Sequence, residues 1–194
     1  MSELASPLRS IVQKLASQKI SGPAAKVKKR YVGATNIVVA VCDVSDSMRD
    51  SIGSLGMNKH QQLKVALEDT LLSFPDLRII AFSSTAQQIR DAKELPEPNG
   101  STNLQRALQL AQELKPRKTI ILSDGLPDST TLATEAAENL TGAIDTIYCG
   151  PEQHPGAEFL HGLSRLSGGR GVTWEGRAQL AETFRLLIEA PAGV

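Results

Sequence analysis

The sequence is poor in aromatic residues and cysteine and has no long apolar run. Aromatic residues make up 4% of the 194 residues, and the two cysteines are Cys42 and Cys149. No run approaches the roughly 18 to 20 apolar residues that a membrane-spanning helix needs. The N-terminus lacks the apolar core and cleavage site of a signal peptide. Both cysteines lie in strand-like runs, which predicts buried free thiols in a protein of the reducing cytoplasm.

Several motifs of enzymes are also missing from the sequence. There is no G-x-x-x-x-G-K-[ST] phosphate-binding loop, no G-x-S-x-G nucleophile elbow and no H-E-x-x-H zinc motif. Residues 168–171 are rich in glycine, but they precede a strand-like run instead of following one, which excludes a dinucleotide-binding fingerprint. These absences exclude a P-loop ATPase. They also leave no nucleophile motif on which a hydrolase triad could be built.

The net charge is zero, but the charge is unevenly distributed along the chain. Residues 1–30 contain seven basic residues and one acid, so this segment carries +6 and the remainder carries −6. We therefore predict a basic arm at residues 1–33, a domain at residues 34–190 and a tail at residues 191–194. Leu8, Ile11, Val12 and Leu15 have helical spacing after Ser6-Pro7, which predicts a short amphipathic helix in the arm. No aromatic residues accompany the basic run, which argues against nucleic acid as a partner.

Strand-like and helix-like segments alternate along the domain. Such alternation predicts parallel strands joined by crossover helices, hence a doubly wound α/β fold with a six-stranded, mostly parallel sheet. The strands are predicted at residues 36–42, 77–82, 87–91, 118–123, 143–149 and 172–174, with the run at 87–91 as a short antiparallel edge strand. The helices are predicted at residues 58–74, 102–114, 130–140, 156–167 and 178–189.

Oxygen-bearing side chains follow the first predicted strand and its expected neighbour in the sheet. In a doubly wound sheet, ligands bind at the carboxyl ends of the strands where the winding reverses, beside the first strand. The strand at 36–42 and the strand at 118–123 would flank that point, with the loop at 98–103 close by. Five donors would then meet: Asp43, Ser45, Ser47, Thr102 and Asp124. Hydroxyl and carboxylate oxygens suit a hard cation.

Three segments carry a specific resemblance: Asp43-Val-Ser-Asp-Ser-Met48, Gly100-Ser-Thr-Asn103 and Ser123-Asp-Gly125. They resemble the metal-ion-dependent adhesion site (MIDAS) of von Willebrand factor A-type (vWA) domains, over roughly residues 34–190. All five ligand positions match in identity and order. Asp46 stands where the family often has glycine, and Met48 resembles the intracellular prokaryotic branch.

The resemblance implies a protein-interaction module, not an enzyme, with Mg²⁺ as the ion and Mn²⁺ or Ca²⁺ as alternatives. Serine and threonine hydroxyls would bind the ion directly and the aspartates largely through water. One open position would accept an Asp or Glu carboxylate from a partner protein, next to Asp46, Met48 and Ser101. Relatives of this kind commonly work with MoxR-type AAA+ ATPases or in stress and defence systems.

The sequence leaves two other hypotheses about function open. The first is a metal-dependent phosphoryl-transfer or hydrolytic enzyme with Asp43 at its centre. Against it, no lysine or histidine is evidently placed as an acid, base or phosphate clamp, and Lys118 begins its strand at the far end. The second is a structural subunit whose basic arm makes the functional contact.

The sequence also suggests how the site tolerates substitution. Asp43 and Thr102 are expected on exposed loop tips, so alanine at either position should leave the fold intact. Val39 is expected in the central strand, where truncation opens a cavity. Trp174 is expected to pack in the core.

Overall fold

The computed structural model describes residues 30–31, 33–53, 56–176 and 180–191. The strands are β1 Val38–Asp43, β2 Arg78–Phe82, β3 Ala86–Ile89, β4 Lys118–Ser123, β5 Ala143–Cys149 and β6 Gly171–Trp174. The helices are α1 Lys59–Ser73, α2 Leu104–Glu113, α3 Thr130–Asn139, α4 Pro155–Ser167 and α5 Leu180–Glu189, with short 3₁₀ helices at Asp46–Arg49 and Ala92–Glu94. The predicted arm helix and the tail residues 192–194 lie outside the described residues.

The six strands form one sheet in the order β3-β2-β1-β4-β5-β6. All neighbours pair in parallel except β2 and β3, which are antiparallel. This confirms the predicted doubly wound α/β fold and its antiparallel edge strand. The winding reverses between β1 and β4, so a crevice is expected at the carboxyl ends of these two strands.

The sheet is buried on both faces, as continuous apolar strands predict. Alternate residues of β1 point to opposite sides, so Val38, Ala40 and Cys42 belong to one apolar cluster and Val39 and Val41 to the other. Helices α1 and α5 cover the first cluster, while α2, α3 and α4 cover the second. Both cysteines are free and buried, and Trp174 lies in the core, as predicted.

Arg30, which lies in the segment predicted as a basic arm, contacts the end of α3 and the start of β5. The Arg30 guanidinium donates to the carbonyl oxygens of Ala137 at 3.0 Å and Leu140 at 3.4 Å, where α3 ends. Gly142 N donates to Arg30 O at 2.8 Å. Arg30 therefore lies near the start of β5, at the end of the sheet opposite the carboxyl end of β4. None of the helices in the described part of the chain is long and apolar enough to span a membrane.

Replacing Val39 by Ala is expected to lower the free energy of unfolding by about 1–3 kcal/mol, since truncating a fully buried side chain leaves a cavity. Urea denaturation measures this loss. Val65→Ala is the matched control, because Val65 is 54% exposed on α1 and should change stability by less than about 0.5 kcal/mol. Equal losses for the two variants would contradict the central position of β1.

Candidate metal site

The candidate site lies where β1 and β4 end side by side. Cys42 pairs with Leu122 in the parallel register, so the next residues, Asp43 and Ser123, are neighbours at the carboxyl edge of the sheet. Asp124 follows directly after β4. The topology thus brings the first and third segments of the sequence motif together, as predicted from the order of the strands.

Asp43 is fully buried, and both of its carboxylate oxygens accept hydrogen bonds. Ser45 N donates to Oδ1 at 2.8 Å, and Ser123 Oγ donates to Oδ2 at 2.5 Å. The expectation of an exposed loop tip was wrong for Asp43, because β1 continues through this residue into the covered interior. Burial raises its pKa to about 6, against the hydrogen bonds from Ser123 and Ser45, which lower it, while the charge of Asp124 adds to the rise.

A chain of oxygen contacts joins the other donors of the two segments. Ser45 Oγ lies 3.2 Å from Ser47 Oγ, and Ser47 Oγ donates to Asp124 Oδ1 at 2.7 Å. Ser45 and Asp124 are buried, whereas Ser47 is partly exposed. The structure therefore brings four of the five predicted ligands into one cluster: Asp43, Ser45, Ser47 and Asp124.

Thr102 lies on the adjoining loop, which is fastened to the site through its backbone. Gly100 O accepts from Asp46 N at 3.1 Å. Gly100 has φ 71°, and a Cβ there would lie 2.4 Å from Ser84 Oγ, so glycine is needed at this position. Thr102 is partly exposed, and among the described residues no hydrogen bond joins its hydroxyl to the other four predicted ligands. The structure therefore joins this loop to the segment that follows β1 through the backbone and not through the Thr102 hydroxyl.

Asp128 holds the Thr102 loop in place and was missed by the sequence reasoning. Its Oδ1 accepts from Thr102 N at 3.1 Å and its Oδ2 from Ser101 Oγ at 2.7 Å, while Asp128 N donates to Thr102 O at 3.0 Å. The sequence signal for this role was the turn at Pro127-Asp128-Ser129, just before α3. Aspartate in such turns commonly accepts hydrogen bonds from backbone amides.

The three predicted partner-contact residues differ in accessibility. The Asp46 side chain is 68% exposed and pairs with Arg49 at 3.6 Å, and Ser101 is exposed. Met48 is fully buried in the core cluster under α1, so its prediction as a partner contact was wrong. The 3₁₀ helix at Asp46–Arg49 turns the apolar Met48 side chain inward and the charged ones outward.

Lys59 reaches into the site, and the expectation that no lysine lies there was wrong. Its Nζ is 2.6 Å from Asp124 Oδ2 and donates to Ser47 O at 3.3 Å. The missed signal was the capping box of Asn58 and Gln61, which starts α1 at Lys59. A helix that follows β1 begins at the carboxyl edge of the sheet, so its first residue lies near the strand ends.

The donor set fits a small hard cation. Oxygens at right angles around Mg²⁺, each about 2.05 Å from the ion, lie about 2.9 Å apart. The separations of 3.2 Å between the serine hydroxyls and 2.7 Å between Ser47 and Asp124 fall on either side of that value. Within the described ranges no group of three or more His, Cys, Asp or Glu side chains is arranged for a metal, so a cation at this place would need the serine hydroxyls as ligands.

No protein-family model matches the sequence, and no curated protein matches it. Solved structures do resemble the fold. An aerotolerance-related membrane protein from Bacteroides fragilis, with multiple mutations to serines, is 11% identical with a TM-score of 0.61 over 79% of this chain and 98% of that one.

Proximal thread matrix protein 1 from the mussel byssus, with a zinc-occupied MIDAS motif, is 16% identical with a TM-score of 0.56. The match covers 81% of this chain and 46% of the mussel protein. A second crystal form of the mussel protein gives 18% identity and a TM-score of 0.55. That match covers 78% of this chain and 44% of the mussel protein. This chain therefore spans less than half of the mussel protein. Together with the strand order, these likenesses show a vWA-like fold.

Proposed function

We propose that the chain is a metal-dependent protein-interaction module, in which a divalent cation at an intact MIDAS binds an acidic residue of a partner protein. The observation that carries this proposal is the oxygen cluster of Ser45, Ser47 and Asp124, backed by the buried Asp43, at the point where the winding of the sheet reverses. The zinc-occupied MIDAS of the mussel protein supports a metal at the corresponding place in this fold.

Mg²⁺ is the ion we propose, with Mn²⁺ or Ca²⁺ as substitutes, because the donors are all hard oxygens. Ser45, Ser47 and Thr102 would hold it through their hydroxyls, while Asp43 and Asp124 would act largely through water. A bound ion supplies a Lewis-acidic position for a carboxylate. Asp43 keeps the hydroxyls oriented through the Ser45 backbone, and its second oxygen fixes Ser123.

The partner surface is proposed around the exposed rim of the site, at Asp46 and Ser101. An Asp or Glu of the partner would complete the coordination shell. The resemblance of the sequence around Met48 to intracellular prokaryotic vWA proteins supports a cytoplasmic setting and, as one candidate partner, a MoxR-type AAA+ ATPase. A bridging cation makes this contact depend on metal, unlike a direct salt bridge.

Ser47→Ala is expected to weaken Mn²⁺ and Mg²⁺ binding at least about tenfold, because it removes one ligand and the partner of Asp124 Oδ1. Isothermal titration calorimetry on metal-free protein measures the affinity. Ser73→Ala is the matched control, since Ser73 is exposed at the end of α1. Wild-type protein that binds neither ion would overturn the proposed function.

A pull-down from lysate extends the test to the partner. Wild type and Ser47→Ala are compared, each with Mg²⁺ or with EDTA, and bound proteins are identified by mass spectrometry. The proposal expects a protein retained only by wild type with Mg²⁺ and released by EDTA. A protein retained in all four conditions would show that it contacts the chain outside the metal site. Deletion of residues 1–29 then tests the basic arm and leaves the Arg30 contacts with Ala137 and Leu140 in place.

A hydrolytic enzyme remains the second candidate, because Lys59 now supplies a cation beside Asp124 that could hold a phosphate. The environment of Asp43 argues against a nucleophilic role, since it is fully buried and both oxygens accept hydrogen bonds. Hydrolysis of p-nitrophenyl phosphate with Mg²⁺, lost in both Asp43→Asn and Lys59→Met, would favour the enzyme over the interaction module.

A further inference from the structure

Lys59 occupies a restricted position at the start of α1. Its side chain is 12% exposed, although it is the first residue of the helix. A positive charge at a helix N-terminus is unfavourable, because the unpaired amide groups there already carry partial positive charge. The ammonium group is therefore held by what it contacts in the site and not by the helix.

Those contacts are acceptors of the candidate metal site. The Lys59 ammonium lies 2.6 Å from Asp124 Oδ2, while the other oxygen of the same carboxylate accepts from Ser47. The ammonium also donates to the main-chain oxygen of Ser47 at 3.3 Å. The side chain of Asp124 is 1% exposed, so this ion pair is shielded from solvent on the aspartate side.

A second acceptor for Lys59 lies further out. Asp50 Oδ2 is 3.8 Å from the ammonium, and the Asp50 side chain is 72% exposed. Asp50 N donates a hydrogen bond to Ser47 O, and Lys59 N donates one to Asp50 O. Backbone hydrogen bonds therefore connect the three residues. Rotation of the lysine side chain alone would exchange the inner acceptor Asp124 for the outer acceptor Asp50.

We propose that Lys59 is the resident cation of the site, and that its ammonium group competes with the divalent ion for Asp124. This inference rests on the proposed function and adds a control of metal affinity to it. Two cations that share one carboxylate repel each other strongly where solvent is excluded. Entry of the divalent ion breaks the Lys59–Asp124 pair and moves the ammonium toward Asp50 at the exposed rim.

The pair has two consequences. Without metal, Lys59 balances the carboxylate of Asp124, which otherwise lies close to the buried Asp43, and so keeps the site in one arrangement. With metal, the affinity is lower than the oxygen donors alone would give, because the ion pair must be broken first. Half-saturation of the site then needs a higher concentration of the divalent ion than the oxygen donors alone would require.

Lys59→Met keeps an unbranched apolar stem, one heavy atom shorter than the lysine side chain, and removes the charge. We expect it to bind Mn²⁺ and Mg²⁺ at least about tenfold more tightly than wild type in calorimetry. We also expect a lower melting temperature in EDTA and a larger rise on adding metal, because Asp124 is left without a counter-ion. Lys59→Arg retains the charge and should bind metal close to the wild-type affinity.

Lys64→Met is the matched control, as it removes a lysine of the same helix that forms no hydrogen bond or ion pair with Asp124 or Ser47. Unchanged metal affinity in Lys59→Met, with binding by wild type, overturns the role of Lys59 and leaves the proposed function standing. Weaker binding in Lys59→Met also overturns competition and makes Lys59 a supporting residue. Absence of metal binding in wild type overturns the two proposals together.

Discussion

Replacing Lys118 by Met is expected to lower the free energy of unfolding by about 3–5 kcal/mol, the largest loss of stability that we predict for this fold. Lys118 begins β4 at the edge opposite the metal site and is 1% exposed. Its ammonium lies 3.0 Å from Asp145 Oδ2 in β5, and Asp145 is equally buried. Removing the lysine leaves a carboxylate without a counter-ion in the interior.

The same ammonium also caps the carboxyl end of α5. It donates to Leu187 O and, at 2.7 Å, to Ala190 O, which are carbonyl groups at the helix end without partners inside the helix. Burial lowers the pKa of Lys118, and the charge of Asp145 opposes this change. One side chain therefore connects β4, β5 and α5, so its loss affects both the sheet and the helix that covers it.

Urea denaturation of three variants separates these contributions. Lys93→Met is the control, since Lys93 is exposed and should change stability by less than about 0.5 kcal/mol. Adding Asp145→Asn to Lys118→Met should recover part of the loss, because it removes the uncompensated charge while its amide oxygen still accepts from Arg170 N. A loss in Lys118→Met no larger than in Lys93→Met would contradict the buried pair.

The sheet and its order were predictable because local patterns and topology agree. Apolar, β-branched runs such as residues 36–42 give strands, and their alternation with helices allows few arrangements. The antiparallel edge was indicated by the tight turn at Ser83-Ser84 before β3. The same reasoning placed Asp43 and Asp124 together, since both follow strands that flank the reversal of winding.

What the sequence did not reveal depends on the direction of single side chains. Met48 was predicted as a partner contact, yet a 3₁₀ helix turns it into the core. Asp43 was placed one residue beyond the strand that in fact contains it. Lys59 lies twelve residues after Ser47, and its contact with Asp124 depends on where α1 begins and which way its first residue points. Sequence spacing does not fix these directions.

The buried carboxylate of Asp43 combines a cost in stability with a role in the site. Its pKa in the folded, metal-free protein is about 6, against an ordinary value of 3.8, chiefly because burial disfavours the charged form. An acid whose pKa is raised by folding makes the native state less stable once it ionises. The penalty is absent below pH 4, grows as the pH rises toward 6, and reaches about 3 kcal/mol above that range.

Asp43→Asn is therefore expected to be more stable than wild type by up to about 3 kcal/mol at pH 7.5 in EDTA, and equally stable at pH 4. The amide oxygen keeps the bond from Ser45 N, and the amide nitrogen can donate to Ser123 Oγ in place of the bond it loses. Urea denaturation at a series of pH values from 4 to 8 measures the difference between the two proteins. The other carboxylates contribute equally to the free energy of unfolding of both proteins, so their titration cancels in this difference.

Asp46→Asn is the matched control, since Asp46 is exposed and its substitution should leave the pH profile of stability unchanged. Mg²⁺ should raise the melting temperature of wild type and of Asp46→Asn but have little effect on Asp43→Asn, because the ion offsets the buried negative charge that this variant lacks. A stability difference between Asp43→Asn and wild type that stays constant from pH 4 to 8 would contradict the raised pKa. Together, a more stable metal-free variant and a lost response to Mg²⁺ would show that this carboxylate is retained for the ion and not for the fold.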